Sequence, residues 1–367
     1  MALWLDSNSE PQTENEKADL AAIAALKVST ALELKNEGNE YVKKGKKHYK
    51  DAIDCYTRAI NQKGLGESET SVLFANRAHV NLLLGNNRRA LEDAEQAVKL
   101  SPTNVKAIYR AAKASFALDM LKEAITYCEQ GLELSPDNED LKKLVKLASG
   151  KLAEREKHEA EVAKALRGAK DLLSAFEDRG LKIGKAMFRE LTGLKKPVLD
   201  KSKILHWPVV LLYPEVMSSD IIEDFCETDM FSSHLDIMFS EDCPPLPWDK
   251  ENEYTRENIE LYYEVGSSVC LSKTRILHYL LEGSPGAGAV SIDEEKDSSN
   301  YESPTGKGPS RWVKVNEKRT LHDVLKEPNL VIPGIPVFYI VSKSSTFYNK
   351  FKSGKWALPQ VPGEDTA

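Results

Sequence analysis

The chain repeats itself every 34 residues across its N-terminal third, and this period limits the possible folds more than any other feature. Small residues recur at that interval: Ala78 and Ala112, Ala90 and Ala124, Ala94 and Cys128, Ala97 and Gly131. Pro102 and Pro136 close the two copies. From about Thr30 to Pro136 the apolar spacing is helical. Small residues let antiparallel helices approach closely, and each proline ends the second helix of a pair. Gly38, Tyr41, Ala52, Tyr56 and Ala59 form an earlier copy, once two extra residues are allowed in the basic turn near Lys46–His48. The expectation is three stacked helix pairs, since a single pair cannot bury its own apolar face.

Five polar residues fall on the first helices of these pairs. Lys35 and Asn39 are four apart and share a helix face, as do Lys106 and Arg110. Asn76 holds the corresponding place in the second pair. Together they would line a groove with cationic and amide donors and no acid of their own, which suits a peptide carboxylate. Lys offers a point charge, Arg a rigid fork, and Asn neutral donors. Charge-assisted hydrogen bonds contribute about 1.5–3 kcal/mol each, so three or four can anchor a short peptide at micromolar affinity, about −8 kcal/mol. Phe74 and Tyr109 are candidates to touch an apolar side chain of that peptide, with core packing as their other reading. The basic run Lys43, Lys44, Lys46, Lys47 and Lys50 reads as a solvated turn, with an acidic tail or RNA as the alternative partner.

Charge and cysteine usage exclude several classes. Asp and Glu outnumber Lys and Arg by 57 to 50, and a net charge of −7 argues against nucleic acid as a partner. The cysteines, at 55, 128, 226, 243 and 270, form no CxxC, and no Asn-x-Ser/Thr occurs. That suits a reducing, cytoplasmic interior, with nuclear shuttling left open. Met1 to Asp6 shows no secretory signal. The runs around Leu20–Leu26 and Val209–Tyr213 are too short to span a bilayer, so no membrane is expected. "GSPGAGAV" at Gly283–Val290 lacks the Lys-Ser/Thr of a phosphate loop, and neither HExxH nor GxSxG is present. His206, His234, His278 and His322 are scattered singly and read as structural, and Cys270 as a small buried hydrophobe. No catalytic residue, metal or cofactor is expected.

The pattern divides the chain into four parts. Residues 1–27 read as a tail, mobile as far as Asn15, followed by a short helix Asp19–Lys27. Residues 28–136 hold the repeats. Residues 137–185 read as a capping helix with a stripe of Leu141, Leu144, Val145, Ala148 and Leu152. Beyond Ala153 charges surround this helix, which reads there as a solvated spacer broken by Gly180 and Gly184. Residues 186–367 alternate strand-like runs, "WPVVLLYP", "IELYYEV" and "IPVFYIVSK", with helical stretches expected at Ser219–Glu227, Leu321–Lys326 and Ser345–Lys352. This is an α+β domain with a disordered loop at Gly283–Ser310. Residues 227–264 carry eleven Asp and Glu against two Lys and Arg, leaving an acidic face.

The 34-residue pattern resembles the tetratricopeptide repeat, although the consensus Trp and Leu early in each unit are absent or replaced. "KNEGN" at Lys35–Asn39, "LFANRA" with Asn76 and "KAIYR" at Lys106–Arg110 look like the dicarboxylate clamp of chaperone-binding members. That family's pattern is Lys-x-x-x-Asn, Asn and Lys-x-x-x-Arg on the first, third and fifth helices. The resemblance implies binding of the Glu-Glu-Val-Asp tails of heat-shock protein 90 and cytosolic heat-shock protein 70, whose valine is the apolar side chain that Phe74 and Tyr109 would touch if they do not serve core packing. The order of parts, with "HWPVVLLYPE" and "IPVFYIVSKSSTFYNKF" bracketing the second domain, is similar to the tetratricopeptide repeat protein 4 family of co-chaperones. That likeness implies a twisted-sheet "wheel" domain and translation elongation factor 2 as a client. The expected function is a non-enzymatic co-chaperone adaptor. A scaffold for internal peptides, or an enzyme domain recruited to chaperones, are the rival readings.

Overall fold

The computed structural model describes residues 13–240, 242–266, 269–288, 311–354 and 356. The chain divides into two compact units, Met1–Lys157 and His158–Ala367.

The first unit is entirely helical: α1 (Glu14–Lys44), α2 (Tyr49–Asn61), α3 (Glu67–Leu84), α4 (Asn87–Leu100), α5 (Val105–Ala117), α6 (Leu121–Leu134) and the start of α7 (Glu139–Asp178). Successive helices pair as the 34-residue period requires. Ala78, Ala90, Ala94, Ala111 and Ala114 share one buried cluster, and Ala112, Cys128, Leu141 and Leu144 another. A Cβ on Gly131 would lie 2.7 Å from Leu141 Cδ1, so any larger residue there would push the Leu141 side chain of α7 aside. The two extra residues of the first pair fall at a 3₁₀ turn, Lys46–His48.

The N-terminal expectation needs correction. No separate helix occupies Asp19–Lys27. Instead α1 begins at Glu14 and runs unbroken to Lys44. Thr13 and Glu16 form a capping box, each side chain accepting from the other's backbone N–H. Of the tail expected to be mobile as far as Asn15, Thr13 caps α1 and Glu14 and Asn15 are helical, while residues 1–12 lie outside the described residues.

The second unit is built on a six-stranded sheet: β1 (Val198–Leu199), β2 (Leu205–Tyr213), β3 (Ser218–Cys226), β4 (Ile259–Val265), β5 (Arg311–Lys314) and β6 (Val337–Ser342). The order is β1-β2-β6-β4-β5, with β3 paired to β2. Only β2 and β6 run parallel; the other pairs are antiparallel. Around the sheet lie α8 (Arg189–Thr192), α9 (Phe231–Met238), α10 (Lys273–Leu281), α11 (Leu321–Leu325) and α12 (Phe347–Lys352). Side chains alternate across a strand. Trp207, Val209, Leu211, Leu261, Phe338 and Ile340 therefore enter one core, while Val210, Leu212, Tyr262, Val337, Tyr339 and Val341 enter the other. Burial on both faces explains the continuous apolar runs in the sequence.

Three sequence expectations fail here, and a fourth falls mostly outside the described residues. Residues 219–226 lie in strand β3, and Glu227 in the turn after it, rather than in a helix. Its register on β2 shifts between Trp207 and Val209, where Pro208 has no N–H to donate. The segment past Ala153 is not solvated throughout: Ala169, Ala175 and Phe176 of α7 are buried in the second unit's main core. Cys270 is exposed. Of the expected loop, 283–288 forms turns, and the remainder lies outside the described residues.

Candidate functional site

The five sequence-selected residues lie on α1, α3 and α5, the first helix of each pair. Three of them join in one row. Asn76 Nδ2 donates to Asn39 Oδ1 at 3.3 Å, and Arg110 Nη1 approaches Asn76 Oδ1 at 3.5 Å. The Tyr56 hydroxyl of α2 donates to the same Asn39 oxygen at 2.7 Å. Gly38 makes that last contact possible, because a Cβ there would sit 2.8 Å from the Tyr56 ring. With Asn39 Oδ1 already engaged, its amide NH₂ has no partner among the described residues. Lys35 and Arg110 are half-buried and Lys106 is exposed. None of the three forms an ion pair among the described residues.

The start of α5 is fixed by Asn104. Its oxygen accepts from Ala107 N at 3.1 Å, and its amide donates to Ser71 Oγ at 2.9 Å. Ser71 in turn donates to Ala97 O at 2.7 Å. Lys106 thus sits in the first turn of α5, where the helix dipole adds positive potential and favours an anion.

Arg77, next to Asn76, is committed elsewhere. Its guanidinium binds Asp93 of α4 in bidentate fashion, at 3.0 Å from Nε and 2.6 Å from Nη2. Thr57 and Asn81 complete this network. The carboxylate of the interior is therefore spent on Arg77 and does not neutralise the groove.

Burial lowers the Arg110 pKa, and the nearby Tyr56 opposes that shift. Burial pushes the Tyr56 phenol up to about 12, so it stays protonated and donates to Asn39. Beside this row lies a cavity of about 330 Å³, lined by Lys106, Arg110, Tyr109 and Lys113 of α5, His79 and Leu82 of α3, and Asp140 of α7. Tyr109 thus reaches the cavity wall. Phe74 does not; it packs with Ala75, Ala97 and Ala107, 5.3 Å below the Arg77 guanidinium. Sequence reasoning missed His79, although it stands three residues after Asn76 on the same helix face. Chemically the groove presents N–H donors and positive charge to an anion, with one acid, Asp140, among its lining residues.

Among the described residues there is no group of three or more potential metal ligands, and no helix is long and apolar enough to cross a membrane.

Comparison with known proteins covers both units. The Cns1/TTC4 Wheel domain model matches residues 197–279, and a tetratricopeptide repeat model matches residues 82–148. The tetratricopeptide repeat protein 4 homolog of Dictyostelium discoideum is 30% identical over 94% of this chain and 84% of its own length. The Hsp70/Hsp90 co-chaperone cns1 of Schizosaccharomyces pombe is 32% identical over 63% of this chain and 66% of its length. Matches to mammalian tetratricopeptide repeat protein 4 span 64% of those proteins, just under two thirds. The solved structure of the Hsp90 co-chaperone Cns1 from Saccharomyces cerevisiae aligns over 90% of this chain and 95% of its own, with a TM-score of 0.54 and 23% identity, a likeness of fold.

Proposed function

The chain belongs to the tetratricopeptide repeat protein 4 and Cns1 family, and on that footing we propose that it is a non-enzymatic co-chaperone adaptor. In this reading the first unit grips the C-terminal Glu-Glu-Val-Asp tails of heat-shock protein 90 and cytosolic heat-shock protein 70. Lys35, Asn39, Asn76, Lys106 and Arg110 form the clamp for the terminal carboxylates, and Tyr109 lies beside the peptide's apolar side chains. The second unit meets the client or the body of the chaperone, in the cytoplasm, with translation elongation factor 2 as the candidate client.

One observation carries the reading. The hydrogen-bonded row Asn39–Asn76–Arg110 is flanked by Lys35 and Lys106, and no carboxylate among the described residues is bonded to any of them. The row fixes the geometry, and the Lys35 and Lys106 ammonium groups and the Asn39 amide NH₂, which have no acceptor among the described residues, are left to take an external one. The fission-yeast relative, named as a co-chaperone of both heat-shock proteins, supports the choice of ligand.

Calorimetry with a Met-Glu-Glu-Val-Asp peptide tests it. The free-acid peptide binds at micromolar Kd, and Lys106→Ala, which removes one charge-assisted bond, weakens it by about tenfold or more. Equal affinity for a peptide with an amidated C-terminus would refute the clamp and favour a scaffold for internal peptides.

A further inference from the structure

His79 is a half-buried imidazole on the wall of the cavity beside the clamp, and it makes no hydrogen bond or ion pair among the described residues. The groups facing it come from two other helices. Helix α5 contributes Lys106, Tyr109, Arg110 and Lys113, and α7 contributes Asp140. On the neighbouring helices, the Tyr56 phenol is held by Asn39 and the Asp93 carboxylate by Arg77. The imidazole therefore shares its cavity with three cations and one carboxylate.

We propose that His79 is a proton-linked ligand of this groove, taking up a proton when an acidic peptide enters the cavity and so tightening the grip as pH falls. The inference rests on the carboxylate-binding reading given above. In the free protein, burial lowers the imidazole pKa, and the charges of Arg110 and Lys113 add to that effect. The neutral form therefore prevails at pH 7. Peptide carboxylates brought into the cavity reverse the local balance of charge and favour the imidazolium, which then adds a charge-assisted N–H bond to the peptide. The bound-state pKa stands above the free-state pKa. Affinity is consequently highest below the free-state value and declines as pH rises through the bound-state value. Each unit of difference amounts to about tenfold in affinity. The carboxylates of the peptide, with ordinary pKa values of about 4, stay ionised through this window and add nothing to the linkage.

The test is titration of the full chain with an N-acetylated Met-Glu-Glu-Val-Asp peptide at pH 6 and pH 8. Each is run in two buffers of different ionisation enthalpy, and the difference in heat counts protons. Tighter binding at pH 6 and net proton uptake between the two pH values are expected. His79→Gln and His79→Asn, each checked for an unchanged melting temperature, should bind with no uptake and a flat pH profile. Binding that is flat with pH and takes up no proton in the natural sequence overturns the role of His79 while leaving the clamp standing. Uptake that persists in both variants also overturns it. Absence of binding at either pH removes the clamp reading and this inference together.

Discussion

Tyr56 links the packing of the first helix pair to the chemistry of the groove. Its ring fills the space that Gly38 leaves, and its hydroxyl orients Asn39. Gly38→Ala forces the buried ring to move, which overpacks the core at a cost of about 1–3 kcal/mol. A thermal melt should show the loss, and peptide affinity should fall with it as Asn39 is released. Tyr56→Phe separates the two effects. It keeps the packing, loses one hydrogen bond worth about 0.5–1.5 kcal/mol, and should still weaken the peptide. Unchanged affinity in Tyr56→Phe would show that Asn39 needs no such support. A different residue-scale prediction concerns Asp93. Its side chain is 9% exposed, and it accepts hydrogen bonds from both Nε and Nη2 of Arg77. Asp93→Ala strands that guanidinium at a cost of about 3 kcal/mol, the lower end for a broken buried pair, measurable by denaturant unfolding. The row Asn39–Asn76–Arg110 was legible because helical spacing and the 34-residue period fix which positions share a face. The division of labour among basic residues was not. Arg77 sits beside Asn76 and looks equally available in sequence, and only the fold reveals that Asp93, sixteen residues on, has claimed it.

Secondary structure was legible wherever an apolar period or run was strong, as in β2, β4, β6 and the repeat helices. It failed where tertiary pairing outweighed local preference. "SSDIIEDFC" is rich in acids and looks like a capped helix, yet a tight turn with Met217 at φ 54° folds it back on β2 as an outer strand. Its Asp220 accepts from the Tyr213 hydroxyl across the hairpin at 2.7 Å. At the same scale β4 carries a buried acid, Glu260, whose presence on a core face no periodicity explains. It accepts hydrogen bonds from Lys314 of β5, Tyr262 of β4 and Tyr348 of α12, at 2.6 to 2.7 Å. Burial acts to raise its pKa, but these three donors overcome that and hold it down to about 2, against 4.5 unperturbed. A carboxylate with a depressed folded-state pKa stabilises the fold fully above its unfolded value. That stabilisation is lost as pH falls from about 4.5 toward 2. Denaturant midpoints measured across this window should therefore drop in the natural sequence. They should change less in Glu260→Gln, which is already weakened at pH 7. Equal slopes in the two proteins would show that other carboxylates govern the acid limb.

At the scale of the whole molecule, the long helix α7 is where sequence reading and structure part most clearly. Its charges after Ala153 surround the helix and suggest solvent on all sides, broken only by Ala160, Val162 and Ala163 before apolar residues gather again from Ala165 onward. The resumption is sparse, with small alanines among charges, so its apolar stripe is weak in sequence. In the fold those residues are core. Phe176 stacks on Trp207 with ring centroids 5.4 Å apart, and Arg179 just past the helix holds the buried Glu227 through two bonds of 2.7 Å. The second unit thus begins within α7, at His158, and not at residue 186 as the glycines at 180 and 184 suggest. Two fragments distinguish these boundaries. Residues 158–367 keep the helix that covers Trp207 and should unfold in one transition with a blue-shifted tryptophan signal. Residues 186–367 lose Ala169, Ala175, Phe176 and the partner of Glu227 together. Removing one large buried aromatic alone costs about 3–5 kcal/mol, a sizeable part of the 5–15 kcal/mol that holds a typical domain. The shorter fragment should therefore show a red-shifted emission and a broadened or absent melt. If it instead melts as sharply and at the same temperature as the longer one, α7 is dispensable to the sheet and the boundary belongs at the glycines.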